Sequence, residues 1–405
     1  MAAGVLPGGR SVSLFSVYSY AKLGARYPSR GGAAEFLIRC FGDGLIAGGL
    51  NVFQFLGWII AMALYASGFS GYVLHLVGGT DNEWVGKAVG VGLVLVLMGV
   101  NVIGSKLVGR SELLVVGVEL VIIVGFVVAA SLKAEPDRFT GQGGGDGFLG
   151  VLFAAGLLYV TYEGFGVVTN SAGDMARPRK QLPRSMYQAL AIVMLVYVVV
   201  AAMLVMVMPL HQIDADAGHV LAEAGRSVLG ETGFIIISVA ALLATASGVN
   251  ATLYGDANLA FTVAKEGELP ADFARGIWRS GTWGLIGAGV LTCAFVVFFP
   301  LSSVGQMASL AFLIVYGMVS AGHLRVHRET GAHPAILIVA VLLNLALFAL
   351  LLYYSITSSP ASTWITLIAV LVLSFAAEAG YRRITGRHLR ISQASLDAEA
   401  AVTDG

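Results

Sequence analysis

Charge is what this sequence has least of. Of its 405 residues only 12% are Asp, Glu, Lys or Arg, against roughly 25% in a soluble domain. Hydrophobic residues make up 57% and the mean hydropathy is +0.83. Too little solvating surface is left for a water-soluble fold, and the chain reads as an integral membrane protein. A surplus of either sign is also missing: 24 basic residues balance 24 acidic ones, which excludes the basic footprint of a nucleic-acid binder. Two cysteines, Cys40 and Cys293, exclude a disulfide framework and a clustered zinc motif. Nor is there a Ser/His/Asp set, a His-Glu-x-x-His motif or a Cys/His cluster, so no enzyme, cofactor or metal is expected. Glycine, in contrast, is abundant at 52 residues, as suits helices that pack closely in lipid.

A hydrocarbon core about 30 Å thick needs roughly 20 apolar residues in a helix. Ten stretches meet that demand: 45–76, 85–105, 113–132, 148–170, 186–210, 233–255, 284–300, 305–323, 335–354 and 363–378. An eleventh, 12–23, is apolar but reaches only roughly 18 Å at the helical rise. Pro7-Gly8-Gly9-Arg10 directly before it reads as a helix-breaking start, so the stretch is taken as the remainder of a span whose first half is absent. Nineteen Lys and Arg fall on one side, in the loops around Arg26, Lys106, Arg177, Lys265, Arg325 and Arg382; four fall on the other, Lys87, Lys133, Arg138 and Arg226. That positive-inside bias puts the Arg26 loop and the C-terminal tail in the cytoplasm. One membrane domain, residues 1–385, is expected, followed by a polar, disordered tail over 386–405. The run Gly141-Gln142-Gly143-Gly144-Gly145 lacks the Gly-Lys-Ser/Thr ending of a phosphate loop and reads as a connector.

Inside lipid a carboxylate costs roughly 2.5–3.5 kcal/mol on insertion scales. Glu119 and Glu163 lie well inside spans and are expected to face the bundle interior and carry function. Glu112 and Asp256 fall nearer span ends, where interfacial water can solvate them. Glu163 stands in Tyr159-Val160-Thr161-Tyr162-Glu163-Gly164-Phe165-Gly166. Two glycines beside a buried acid weaken a helix in mid-membrane, and backbone groups released there are tolerated only where they line a cavity. Discontinuous helices of that kind build transporter sites. An unbroken span whose glycines merely allow tight packing fits the same residues, and periodicity does not choose between the two. Thr245, Ser247, Asn250 and Thr252 offer hydroxyls and an amide, either for coordination or for bonds between helices. Gln54, Trp58 and Tyr65 serve equally as pocket walls or as packing.

Ser19-Tyr20-Ala21-Lys22-Leu23-Gly24-Ala25-Arg26-Tyr27-Pro28-Ser29-Arg30-Gly31-Gly32 resembles the signature ending the second helix of amino-acid permeases of the amino acid–polyamine–organocation superfamily. Further blocks agree in order. Tyr162-Glu163-Gly164-Phe165, with Asp174-Met175, Arg177-Pro178-Arg179 and Leu182-Pro183-Arg184, resembles the broken sixth helix and its following loop. Ala246 to Ala251 and Ala264 to Pro270 resemble the eighth helix and its loop; Ser309 to Leu313 and His323-Leu324-Arg325 resemble the tenth.

The resemblance implies an all-α polytopic membrane protein of the LeuT type, two inverted five-helix repeats plus two helices, with about 11 segments here because the first helix is missing. It implies a secondary active permease that moves amino acids by alternating access in the plasma or inner membrane, coupled to H+ or Na+. Tyr159, Tyr162, Glu163, Gly164, Phe165, Gly166 and Asn250 are the implied substrate residues, with the substrate ammonium meeting carbonyls freed around Gly164. Thr245 and Ser247 fall at the cation site. Proton-coupled relatives often carry a Lys on the fifth helix, and Glu119 stands in its place, a carboxylate able to carry the proton instead. The chain as it stands is expected to transport poorly. A degenerate sensor or scaffold, or a polyamine or organic-cation carrier, is the alternative.

Overall fold

The computed structural model describes residues 2–29, 31–79, 82–103, 108–141, 147–215, 218–265, 275–278 and 281–386. Almost all of the polar tail and most of the glycine connector lie outside the described residues. The helices are α1 (Ala2–Arg26), α2 (Ala33–Phe41), α3 (Leu45–Leu76), α4 (Glu83–Ile103), α5 (Val108–Ser131), α6 (Pro136–Gly141) and α7 (Gly147–Leu157). After a 3-10 turn (Leu158–Tyr162) come α8 (Phe165–Val168) and a second 3-10 turn (Thr169–Asp174). Next are α9 (Pro178–Val207), α10 (Leu210–Ala215), α11 (Val220–Leu229) and α12 (Glu231–Lys265). A short antiparallel ribbon of β1 (Gly276–Trp278) and β2 (Gly281–Thr282) leads into α13 (Trp283–Phe298), α14 (Leu301–Thr330), α15 (Pro334–Ser358) and α16 (Ala361–Thr385).

Nine helical stretches among the described residues are long and apolar enough to cross a membrane. The core is built on α3 and α14: in each, 78% of the most apolar window is buried, against 11% in the stretch Glu112–Ser131 and 6% in α9. The last two turn their apolar residues outward, as a helix solvated by lipid does. The architecture is that of an all-α polytopic membrane protein.

Helix ends correct the expected limits. The 12–23 stretch belongs to a 25-residue helix, about 37 Å long, whose backbone continues through Pro7-Gly8-Gly9. Pro7 stands in the second turn and, having no N–H, forfeits one backbone bond without ending the helix. The C-terminal end follows the rule that the residue before a proline avoids the helical region: α1 stops at Arg26, ahead of Tyr27-Pro28. In α9, Pro178 occupies the first turn, where no N–H is needed, and the Arg177 N–H is bonded instead to Gln181 Oε1 at 2.8 Å. The expected span at 284–300 is only the 16-residue α13. Thr282 caps it by accepting from the Leu285 N–H at 3.2 Å, and Pro300 forces Phe299 into an extended conformation (φ −127°, ψ 140°) before α14 begins. The expected span at 233–255 runs on to Lys265.

The stretch expected at 148–170 is neither a regular α-helix nor an opened one. After Leu157 it tightens into 3-10 geometry, turns at Glu163 and Gly164, and tightens again to Asp174. Glu163 (φ −65°, ψ −23°) and Gly164 (φ −54°, ψ −21°) remain in the right-handed helical region. The expected bare carbonyls are therefore replaced by i→i+3 bonds: Glu163 N to Val160 O at 3.2 Å, Gly166 N to Glu163 O at 3.0 Å and Val167 N to Gly164 O at 3.2 Å. A side chain from α14 drives the change. Ser309 Oγ donates to Leu157 O at 2.6 Å and accepts from Val160 N at 3.2 Å, inserting itself into the helical ladder. Tyr316, two turns further along α14, donates to Glu163 O at 2.7 Å. Gly166 is required by this contact, since a Cβ there would stand 2.8 Å from the Tyr316 hydroxyl oxygen, whereas a Cβ on Gly164 would meet nothing within 4 Å.

Two measurements test this account of the segment. Ser309→Ala removes both bonds of the wedge and is expected to cost about 1–2 kcal/mol, read as a lower melting temperature of the detergent-solubilised protein. Gly166→Ala, which overpacks Tyr316, should cost about 1–3 kcal/mol, while Gly164→Ala leaves the melting temperature unchanged.

Candidate functional site

The 158–174 segment presents two faces. Leu158, Thr161, Gly164 and Val167, spaced at the three-residue repeat of a 3-10 helix, form an exposed stripe, while Tyr159, Tyr162, Glu163, Phe165 and Gly166 are buried. Of the residues expected around the substrate, Gly164 alone lies on the open stripe.

The buried face meets a cage of aromatic rings. Tyr20 of α1 packs edge-on against Phe165 at 5.4 Å and Tyr316 at 5.0 Å, and Phe165 lies 4.7 Å from Tyr316. Tyr159 is bonded through its hydroxyl to Ser16 Oγ at 2.9 Å, and Asn344 of α15 donates to the same serine at 3.1 Å. Tyr162 turns the other way, toward Tyr197 of α9 at 5.5 Å, whose hydroxyl donates to Thr161 O at 3.3 Å. Helices α1, α9 and α14 thus grip the segment from several sides, and α15 braces the Ser16 that holds Tyr159.

Within this cage Glu163 is 1% exposed. Tyr65 of α3 donates to one carboxylate oxygen at a long 3.5 Å; the other, Oε2, has no hydrogen-bond partner. An ionised carboxylate in lipid without full pairing is costly, and such residues mark substrate or ion pathways. Tyr65 is thereby the side chain of α3 that reaches this carboxylate.

A second buried acid on this side is Asp256, 2% exposed with neither oxygen bonded. It lines a cavity with Trp58 of α3, Val167 and Asn170 of the 158–174 segment, and Thr252, Gly255 and Leu259 of its own helix. The cavity holds about one water-sized particle and continues the exposed stripe at Val167. Sequence reasoning set Asp256 aside because the span was expected to end at Gly255. The helix runs to Lys265, which leaves the acid more than two turns inside.

The residues expected to couple ions are distributed differently. Ser247 of α12 donates to a carboxylate of α5, and that carboxylate is Glu112. Glu119, two turns along α5, is half-buried, with one oxygen shielded and unbonded. Thr245 donates to Ala241 O of its own helix at 2.7 Å. Asn250 accepts from Asn101 of α4 at 2.8 Å, an amide pair that ties α12 to α4 rather than to the 158–174 segment.

Residues 8–376 match the family model described as "Amino acid permease". The chain is 34% identical over 382 residues to an uncharacterized protein of Methanocaldococcus jannaschii, covering 93% of this chain and 86% of that protein. It is 30% identical over 368 residues to the inner membrane transport protein YbaT of Escherichia coli, covering 90% and 85%. It is 22% identical over 417 residues to the branched-chain amino acid permease BcaP of Bacillus subtilis, covering 94% and 84%. With its bundle of membrane-length helices, its tightened mid-membrane segment around an unpaired acid and this match over most of its length, the chain belongs to the amino acid permease family and is a multi-pass membrane transporter, not an enzyme.

Proposed function

We propose that this transporter carries amino acids by alternating access, driven by the proton gradient across a plasma or inner membrane, with its C-terminus in the cytoplasm. The observation that carries the reading is the overwound 158–174 segment, wedged by Ser309 and Tyr316 and bearing Glu163 with one carboxylate oxygen unbonded. A mid-helix stretch of 3-10 geometry is a common hinge, and this one connects an open stripe on one face to a buried acid on the other. The substrate lies along Thr161, Gly164 and Val167, and its ammonium group is met by the carboxyl oxygens of Glu163 and Asp256. Rocking of the helices that grip the segment opens the site to each side in turn. The name of one relative, the branched-chain amino acid permease BcaP, supports a neutral amino acid as substrate.

Glu112, more than Glu119, is our candidate for proton coupling, and its bond with Ser247 supports that reading. A hydrogen bond from Ser247 places the Glu112 carboxylate on the face of α12 where the resemblance implies a cation. Loss and regain of a proton there alternately breaks and restores a bond between α5 and α12. A cationic substrate is the second reading, favoured by the two incompletely bonded acids beside the stripe.

Purified protein in liposomes tests these statements. Uptake of a labelled neutral amino acid should rise when the outside is made acidic, and Glu163→Gln should lower the rate by roughly tenfold or more. Absence of uptake for every neutral amino acid, with uptake of lysine or putrescine, favours the cation reading. Glu112→Gln is expected to abolish uptake driven by a pH gradient while sparing substrate exchange, and Glu119→Gln to leave the pH dependence intact; the reverse pattern returns the proton to Glu119.

A further inference from the structure

On the side opposite the basic loops, α3 ends at His75 and Leu76, and α11 begins with His219 as its capping residue and Glu223 one turn on. Four-residue spacing sets His219 and Glu223 on one face of that turn, and His75 meets it. His75 Nε2 lies 2.7 Å from Glu223 Oε1, and the two imidazoles are 3.5 Å apart between centres, inclined by 24°. One ligand atom from each of the three residues falls within 4.8 Å of the other two. A tetrahedral zinc ion, with bonds of about 2.0–2.2 Å, holds its ligand atoms roughly 3.3 Å apart. Side-chain rotation therefore suffices to gather the set.

We propose that His75, His219 and Glu223 form a binding site for a divalent transition-metal ion of the zinc class. Two imidazoles and one carboxylate suit zinc better than calcium or magnesium, which take oxygen ligands. All three residues are partly exposed, so water can supply the fourth ligand. The chief competitor is Arg226, whose guanidinium lies 2.9 Å from the same Glu223 oxygen. It also pairs with Glu231 at 3.2 Å and lies over the Phe234 ring at 3.9 Å. Those two contacts keep Arg226 in place when the metal takes Glu223.

An ion bound here fastens α11 to α3. Helix α11 is itself held tightly to α12, since a Cβ added at Gly225 would stand 2.8 Å from Gly233 O. The metal thus joins two helices that flank the candidate site, α3 and α12, and slows their relative movement. That slowing rests on the alternating-access reading; the binding does not.

The test is a Co2+ titration of the full-length detergent-solubilised protein, purified without a histidine tag and followed by the visible absorption of tetrahedral cobalt. A single equivalent displaced by Zn2+ is expected. His75→Ala, His219→Ala and Glu223→Gln should each weaken binding by at least about tenfold. Arg226→Ala should tighten it, an outcome a purely structural ion-pair chain does not produce, and His327→Ala, near the basic end of α14, should leave it unchanged. Absence of the tetrahedral spectrum, or His75→Ala and His219→Ala variants that bind as tightly as the unsubstituted protein, overturns the site whether or not the protein transports amino acids.

Discussion

A peptide group in hydrocarbon has no water to turn to, so every departure from α-helical pairing must be satisfied by another part of the protein. The 158–174 segment obeys this constraint through α14. Ser309 supplies a donor to Leu157 O and an acceptor to Val160 N, and Tyr316 supplies a second donor to Glu163 O. These contacts hold the overwound geometry, and the overwound geometry in turn places Glu163 inward and Gly164 outward. The burial of α14 follows from the same duty, because a helix that must hydrogen-bond another helix in mid-membrane cannot face lipid.

Glu163 and Asp256 differ in what surrounds them. Glu163 sits among rings that pack edge to face, with Tyr65 as its nearest donor. Asp256 borders a small void shared by three elements. The titratable groups on the elements around it either have other partners, as Glu112 has Ser247 and Glu163 has Tyr65, or stand elsewhere along their helices, as Glu119 does. Each acid therefore answers to a different part of the segment, one to its buried face and one to the lower end of its open stripe.

Much of the fold was legible because lipid demands long apolar runs: α3 spans the residues expected of it, Leu45 to Leu76. Helix ends were less legible. Pro178 and Pro183 look like breakers in a sequence but stand in the first two turns of α9, and apolar counting stops at Gly255 although α12 continues through polar residues to Lys265. That second error concealed Asp256. Glu163 was visible as an acid in an apolar stretch, and Gly164 and Gly166 marked an irregular helix. The sequence could not say that the irregularity is a tightening, because Ser309 and Tyr316 lie about 150 residues away. The histidines show the same limit: His75 and Glu223 are separated by 148 positions, so no motif announces their meeting.

Helix α13 has a consequence for the surrounding bilayer. Its 16 residues rise about 24 Å, short of a hydrocarbon layer of about 30 Å. Trp283, half exposed at its first position, is the kind of amphipathic ring that settles at headgroup level. With Pro300 forbidding extension at the other end, the lipids beside α13 must shorten or tilt to match it. Such hydrophobic mismatch costs a fraction of a kcal/mol per ångström, so this flank of the protein favours thin membranes with short acyl chains.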